Sequence, residues 1–211
     1  MILVEACVVD REEAVNAVSA GADRLELCVD LVHDGLTPPP ALVEEVLGAV
    51  EVPVRTMVRP LPGPFTPDPE ELARMVAEVA EANTLGVHGV VLGALTAAGE
   101  IDREAMARLL DAADGLPVTF HRAFDHSADP RRAWDALREL GVDRVLTSGG
   151  AVTAWEGRGL LRELVAAGGP TVLAGGGVRG THAQALVAET GVAEVHARGA
   201  AIPALREALA D

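Results

Sequence analysis

The chain contains no lysine; all 17 of its basic side chains are arginine. Without a lysine amine there is no Schiff-base chemistry, which removes the lysine-dependent aldolases found among small α/β barrels. Genome composition bias is the simpler cause of the absence, and the exclusion holds either way. Tyrosine is also missing, and only three Phe and two Trp are present. Basic charge is scarce: 17 basic residues face 32 acidic ones, for a net charge of −15. Nucleic acid and anionic membranes both require a basic footprint, so neither is an expected partner. A local basic pocket remains compatible with that balance, which describes the whole surface. Two cysteines are too few for a disulfide scaffold. No apolar run approaches the roughly 18 residues needed to span a bilayer. The N-terminal stretch MILVEACVVDREE meets an acid at Glu5 and has no basic start, so it does not read as a signal peptide. A reducing, cytoplasmic location is the expectation.

What is present is a long alternation of β-branched runs with Ala/Leu/Glu/Arg stretches. About half of the 211 residues are apolar, enough for a large core. Strands are expected at 2–8, 24–28, 52–58, 88–92, 116–120, 144–147, 170–174 and 193–196. Helices are expected at 11–20, 39–49, 69–84, 102–113, 130–140, 153–167, 181–190 and 203–209. Asp68, Asp102 and Asp129 stand where side-chain caps belong, and Gly follows many helix ends. Strict βα alternation without hairpin signals implies a parallel sheet. Eight units favour one α/β domain over residues 1–211, a compact (β/α)8 TIM barrel with a short loop after strand 8. An open doubly wound sheet is the alternative.

In such barrels the chemistry sits at the C-terminal strand ends. The most informative segment there is VTFHRAFD, 118–125, where an apolar run ends in His121, Arg122 and Asp125. Phe120 and Phe124, interleaved with those charges, suggest a walled pocket. Other strand ends offer Glu5 and Cys7, Glu26 and Cys28, Arg59, Thr147 and Ser148, and His196. Period-two alternation puts Glu5 with Cys7, and Glu26 with Cys28, on common faces. Glu5 and Glu26 then need a cationic partner, for which Arg24, Arg59 and Arg122 are candidates. An ion-pair network that only closes the barrel is the competing explanation. His196 is open between core and site. The Gly175-Gly176-Gly177 turn, with HARGAAI in the next unit, fits an anion cradle or simply a tight turn. If Cys7 and Cys28 face one another, their sulfurs could bind a soft ion such as Cu(I); as free thiols they also suit a core. Trp134 and Trp155, on outer helices, are candidate interface residues, and a packed core Trp is the alternative.

The phrases EACVVD, GADRLELC, DGLTPP, VRTMVRP, TFHRAFD, RVLTSGG, LAGGGVR and EVHARGAA together resemble the CutC family, named as copper homeostasis proteins, over nearly the full chain. The resemblance implies a (β/α)8 barrel, a cytoplasmic site, homodimers or higher homo-oligomers, and a role in copper handling. It implies that Cys7 and Cys28 are the copper-contacting cysteines. It also implies that Glu5, Arg24, Glu26, Arg59, His121, Arg122, Asp125, Ser148 and His196 form a polar pocket. Two departures stand out. The family reads Arg-Pro-Arg-Gly-Gly after strand three, where this chain reads Arg59-Pro60-Leu61-Pro62-Gly63. The family also carries a longer loop after strand eight.

Two functions follow as expectations. The first is a cytoplasmic copper homeostasis protein that binds Cu(I) through Cys7 and Cys28. The alternative is an enzyme acting on a small carboxylate or phosphate. There His121 would be the acid/base, oriented by Asp125 or Glu26, and Glu5 would belong to the same catalytic group. Arg24, Arg59, Arg122, Ser148, His196 and the three glycines would bind the substrate.

Overall fold

Eight parallel strands close on themselves in strict chain order, each followed by a helix that packs outside. The computed structural model describes residues 1–210. The strands are β1 (Leu3–Val8), β2 (Arg24–Leu27), β3 (Val54–Met57), β4 (Val90–Leu92), β5 (Val118–Phe120), β6 (Arg144–Thr147), β7 (Thr171–Ala174) and β8 (Glu194–Arg198). The helices are α1 (Arg11–Ser19), α2 (Pro40–Leu47), α3 (Pro69–Leu85), α4 (Arg103–Ala113), α5 (Pro130–Glu139), α6 (Arg158–Ala167), α7 (Gly180–Thr190) and α8 (Ile202–Ala208). The barrel expected from the alternation is therefore the observed fold, and the open sheet is excluded because β1 pairs with β8 as well as with β2.

Local chemistry explains the boundaries. The carboxylates of Asp10, Asp68, Asp102 and Asp129 accept backbone N–H groups of the first turns of α1, α3, α4 and α5. Pro occupies the first turn of α2, α3 and α5, where its missing N–H costs nothing. Val, Leu and Ala on the outer strand faces join the inner faces of the helices in one apolar layer.

Two expected bounds need correction, and one open alternative closes. Helix α6 starts at Arg158 rather than at residue 153. Residues 151–157 turn back under the β6 end, and Gly157 packs so closely that a Cβ there would overlap the Ser148 carbonyl. Strand β8 runs on to Arg198, two residues past its expected end. Trp134 is a core residue, 2% exposed, whose indole N–H donates to the Gly168 carbonyl at 2.9 Å. Trp155 lies in the turn before α6, with the Arg158 guanidinium 4.4 Å above its ring.

No helix among the described residues is long and apolar enough to cross a membrane.

Candidate functional site

The barrel interior is charged from its base upward. Arg24 on β2 bridges Glu5 on β1 and Glu194 on β8, at 2.5 Å to the latter. Arg144 on β6 grips both oxygens of Glu194, at 2.6 and 3.2 Å. Arg55 on β3 donates to the Thr119 hydroxyl at 2.9 Å. Burial alone would favour the neutral form of the carboxylates, so pairing with the guanidiniums is what keeps them ionised. Burial opposes the Glu194 carboxylate, but bonds from Arg144 and Arg24 outweigh it and hold its pKa below the usual range. Arg55 goes the other way: burial, then the neighbouring charges of Arg144 and Arg24, bring its pKa down to about 10.

Above this layer the chemistry becomes softer. His196 Nδ1 meets Glu5 Oε1 at 2.9 Å, and its Nε2 lies 4.0 Å from Glu26 Oε1. Burial opposes the Glu5 carboxylate, but the His196 bond and the charge of Arg24 hold its pKa down to about 2. Burial also opposes the His196 cation; Glu26, Cys7 and Glu5 outweigh it and raise its pKa well above the ordinary value. Glu26 is less well served. Burial, with Glu5 nearby, lifts its pKa to about 7, and its Oε2 has no hydrogen-bond partner among the described residues. The Cys7 and Cys28 sulfurs are 3.6 Å apart and both thiols are free. The bond with Cys28, then burial, pushes the Cys7 thiol well above its usual range. Cys7, Cys28 and Met57 pack as one buried group with Val91. Donor atoms of Cys7, Glu26 and His196 all lie within 4.8 Å of one another.

This group opens into a cavity of about 290 Å³ at the C-terminal mouth. Phe65, Met57, Leu31 and Leu146 form its apolar walls, and Arg122, Arg179 and Arg198 stand around it. Arg122 is held in place. Its Nε donates to Asp125 at 2.9 Å and its Nη2 to Ser148 Oγ at 3.0 Å. The Asp125 carboxylate, 5% exposed, also accepts the Thr147 hydroxyl, the Ser148 N–H and the Gly150 N–H.

Cys7, Glu26, His121, Arg122, Gly176, Gly177 and His196 therefore share one hollow. Glu5 lies just beneath it, Cys28 behind Cys7, and Asp125 and Ser148 behind Arg122.

Several expected roles fail. Arg24 sits in the basal layer and does not line the cavity. Arg59 donates to the carbonyls of His33, Gly35 and Gly63 and stacks over Phe65 at 4.8 Å, so it braces loops. Neither Arg59 nor Arg122 pairs with Glu5 or Glu26; Arg24 and His196 do that work. Gly175 is spent on packing, since a Cβ would overlap the Leu146 side chain. His121 contacts neither Asp125 nor Glu26. Its Nδ1 accepts the Ala123 N–H at 3.3 Å, and its ring packs at a tilt of 57° against Phe65, centroids 4.9 Å apart. Burial, then the nearby charge of Arg59, drops its pKa to about 3. It is thus a neutral imidazole and a poor general base near pH 7. Phe120 and Phe124 belong to the core, and the pocket wall is the third phenylalanine, Phe65.

Arg179, Arg198, Phe65 and Met57 went unrecognised as lining residues. The VRG and HARG phrases after strands seven and eight carried the only signal for the two arginines.

A closed (β/α)8 barrel with its polar residues gathered at the C-terminal mouth defines the class: a TIM-barrel protein with its site where that fold builds sites. The CutC family model matches residues 2–201, and the chain belongs to the CutC family. It is 45% identical over 195 residues to a family protein CutC of Histophilus somni (strain 2336), covering 92% of this chain and 80% of that one. It is 42% identical over 196 residues to the Homo sapiens copper homeostasis protein cutC homolog, covering 92% and 72%. Among solved structures, a CutC protein of Streptococcus agalactiae superposes with a TM-score of 0.87 at 34% identity, over 93% of this chain and 98% of that one. The thiamine phosphate pyrophosphorylase of Pyrococcus furiosus, at 15% identity and a TM-score of 0.67, shares the fold alone.

Proposed function

We propose that this chain serves copper homeostasis by holding Cu(I) as cargo on Cys7 and Cys28. One observation carries the reading: two free, buried thiols stand 3.6 Å apart, packed with the Met57 thioether, at the floor of a cavity. Thiolate and thioether are soft donors, and softness selects Cu(I) over the hard cations of the cell. The names printed for the relatives point the same way. Thiols must lose their protons to ligate, so uptake releases protons and weakens in acid. The resting Cys7 thiol resists that loss, which makes binding depend on the ion's own charge. The proposal includes a cytoplasmic location, where thiols stay reduced, and a homo-oligomeric state.

The test is a competition titration of Cu(I) against a chromophoric chelator. Wild-type protein should outcompete the chelator, and Cys7→Ser and Cys28→Ser should each weaken binding by about 100-fold or more, at or beyond the upper end of what loss of a mere outer-shell partner costs. Equal, weak binding by all three proteins would remove the idea.

A further inference from the structure

The cavity mouth holds positive charge that the copper reading does not use. Arg122, Arg179 and Arg198 converge there in a chain whose net charge is −15. Each sits on a different strand-end loop: after β5, after β7 and at the end of β8. The two carboxylates that share the cavity lie elsewhere. Glu26 faces His196 at the floor, and Asp34 belongs to the wall near Arg59. At the rim, the one ion pair of Arg198 among the described residues is a long contact of 3.7 Å with Glu13.

Arg122 shows that this charge is built rather than incidental. A nearly buried carboxylate, Asp125, is devoted to fixing it, with the loop donors of Thr147, Ser148 and Gly150 completing the hub. Burying a carboxylate is costly unless every lone pair is served. A surface arginine needs no such device, whereas a pre-set anion contact does. Gly176 extends the same arrangement. Its φ is +91°, and a Cβ there would stand 3.0 Å from Ser148 Cβ and 3.6 Å from the Arg122 guanidinium carbon. Only glycine brings backbone that close. Gly177 follows at φ +69°. The Gly175 N–H is used by the Thr147 carbonyl, but the N–H groups of Gly176 and Gly177 donate to no backbone carbonyl among the described residues. They stand just ahead of α7, an 11-residue helix with Arg179 at its N-cap.

An independent observation points at a ligand. His121, 4% exposed, lines the same cavity, and its Nε2 has no partner among the described residues. Nδ1 accepts a backbone N–H, so in a neutral ring Nε2 carries the proton. A buried donor left unmade is an open invitation to an acceptor.

We infer that this mouth binds the phosphate group of a small phosphorylated metabolite. Arg122 and Arg179, with the Gly176 and Gly177 amides, take the phosphoryl oxygens. Arg198 closes the rim. The Nε2–H of His121 meets a hydroxyl or carbonyl oxygen on the body of the molecule, which lies against Phe65 and Leu146. A phosphate dianion, with three terminal oxygens, matches this number of donors better than a carboxylate with two. A cavity of about 290 Å³ sets the scale at a few carbons beyond the phosphate. The inference does not rest on copper, and metal-free protein suffices to test it.

Chelator-treated protein is titrated calorimetrically with inorganic phosphate and, separately, with acetate, at fixed ionic strength. Phosphate should bind saturably and acetate more weakly. Arg122→Gln and Arg179→Gln should each weaken phosphate by about tenfold or more, the loss expected of a charge-assisted bond. Arg103→Gln, in an exposed pair with Glu139, should change nothing. Arg179 is exposed, so its variant keeps the fold even if the Arg122 variant does not. Absence of saturable phosphate binding, affinity indifferent to Arg179→Gln, or acetate binding as tight as phosphate would each overturn the assignment.

Discussion

His121 should remain neutral far into acid, and that can be measured. In the folded protein burial and Arg59 drop its pKa from 6.5 to about 3. The unfolded chain therefore takes up the proton first as pH falls. The neutral ring's contribution to stability is complete above pH 6.5 and drains away toward pH 3. Each unit is worth about 1.4 kcal/mol, so moving from pH 6.5 to about pH 5 removes roughly 2 kcal/mol. That is a large share of a typical domain's 5–15 kcal/mol. Glu26 titrates in the same window with opposite sign. Its pKa rises from 4.5 to about 7 on folding, so acidification there adds stability. A difference isolates the histidine: denaturant-derived stability of wild type and His121→Gln, each across that range. Wild type should lose about 2 kcal/mol more than the variant. Nitrogen chemical shifts of wild-type His121 should stay flat over the same range, with Nε2 protonated. A His121 midpoint near 6, or equal slopes in the two proteins, would refute the reasoning.

Arg24→Met should cost about 3–5 kcal/mol, because it takes a buried cationic partner from both Glu5 and Glu194, leaving them to His196 and Arg144 alone. Arg131→Ala, which breaks an exposed pair with Glu163, should cost under about 1 kcal/mol; similar losses in urea melts would contradict the layering. Gly157→Ala should lower Tm sharply or prevent folding, since its Cβ would overlap the Ser148 carbonyl. Gly159→Ala, with open space around its Cβ, should raise stability by up to about 1 kcal/mol. A calorimetric scan that ranked these two the other way would show the β6–α6 turn to be misread.

The βα alternation was readable because periodicity and caps are local. Asp68, Asp102 and Asp129 announce their helices within three residues. The ring of strand-end polar residues was readable for the same reason, since alternation assigns a side chain to the interior. It does not assign a level. Arg24 and Glu26 point inward from one strand, yet Arg24 pairs with Glu194 and Glu26 lines the cavity. Level depends on the register of neighbouring strands, Glu5 opposite Arg24 and Cys7 opposite Glu26, and register is a property of the closed barrel. His121 and Asp125 looked like an acid/base pair by spacing. The 3-10 turn at 122–126 instead swings Asp125 toward Ser148 and Arg122. Phe65 gave no signal, since it lies in a loop between elements.

The two levels have different physical purposes, and charge shows why. The basal layer sets Arg24 and Arg144 against Glu194, with Arg24 also reaching Glu5. Its members serve one another, and removing any one leaves a buried charge exposed to the others. The carboxylates of this layer are paired, and the donors it leaves without a partner among the described residues, Arg144 Nη1 and Arg55 Nε, belong to residues outside the cavity lining; the layer stabilises closure. At the level above, the unserved atoms belong to residues that line the hollow: Glu26 Oε2 and His121 Nε2 lack partners among the described residues, and the Cys7 and Cys28 thiols face each other without a covalent bridge. Unmet polar atoms cost stability, typically about 1–3 kcal/mol each. In this barrel the groups around the hollow at the strand ends carry that cost. The basal guanidiniums explain how the barrel stays closed, and the unmet groups above them line the hollow in which the proposed ligands would sit.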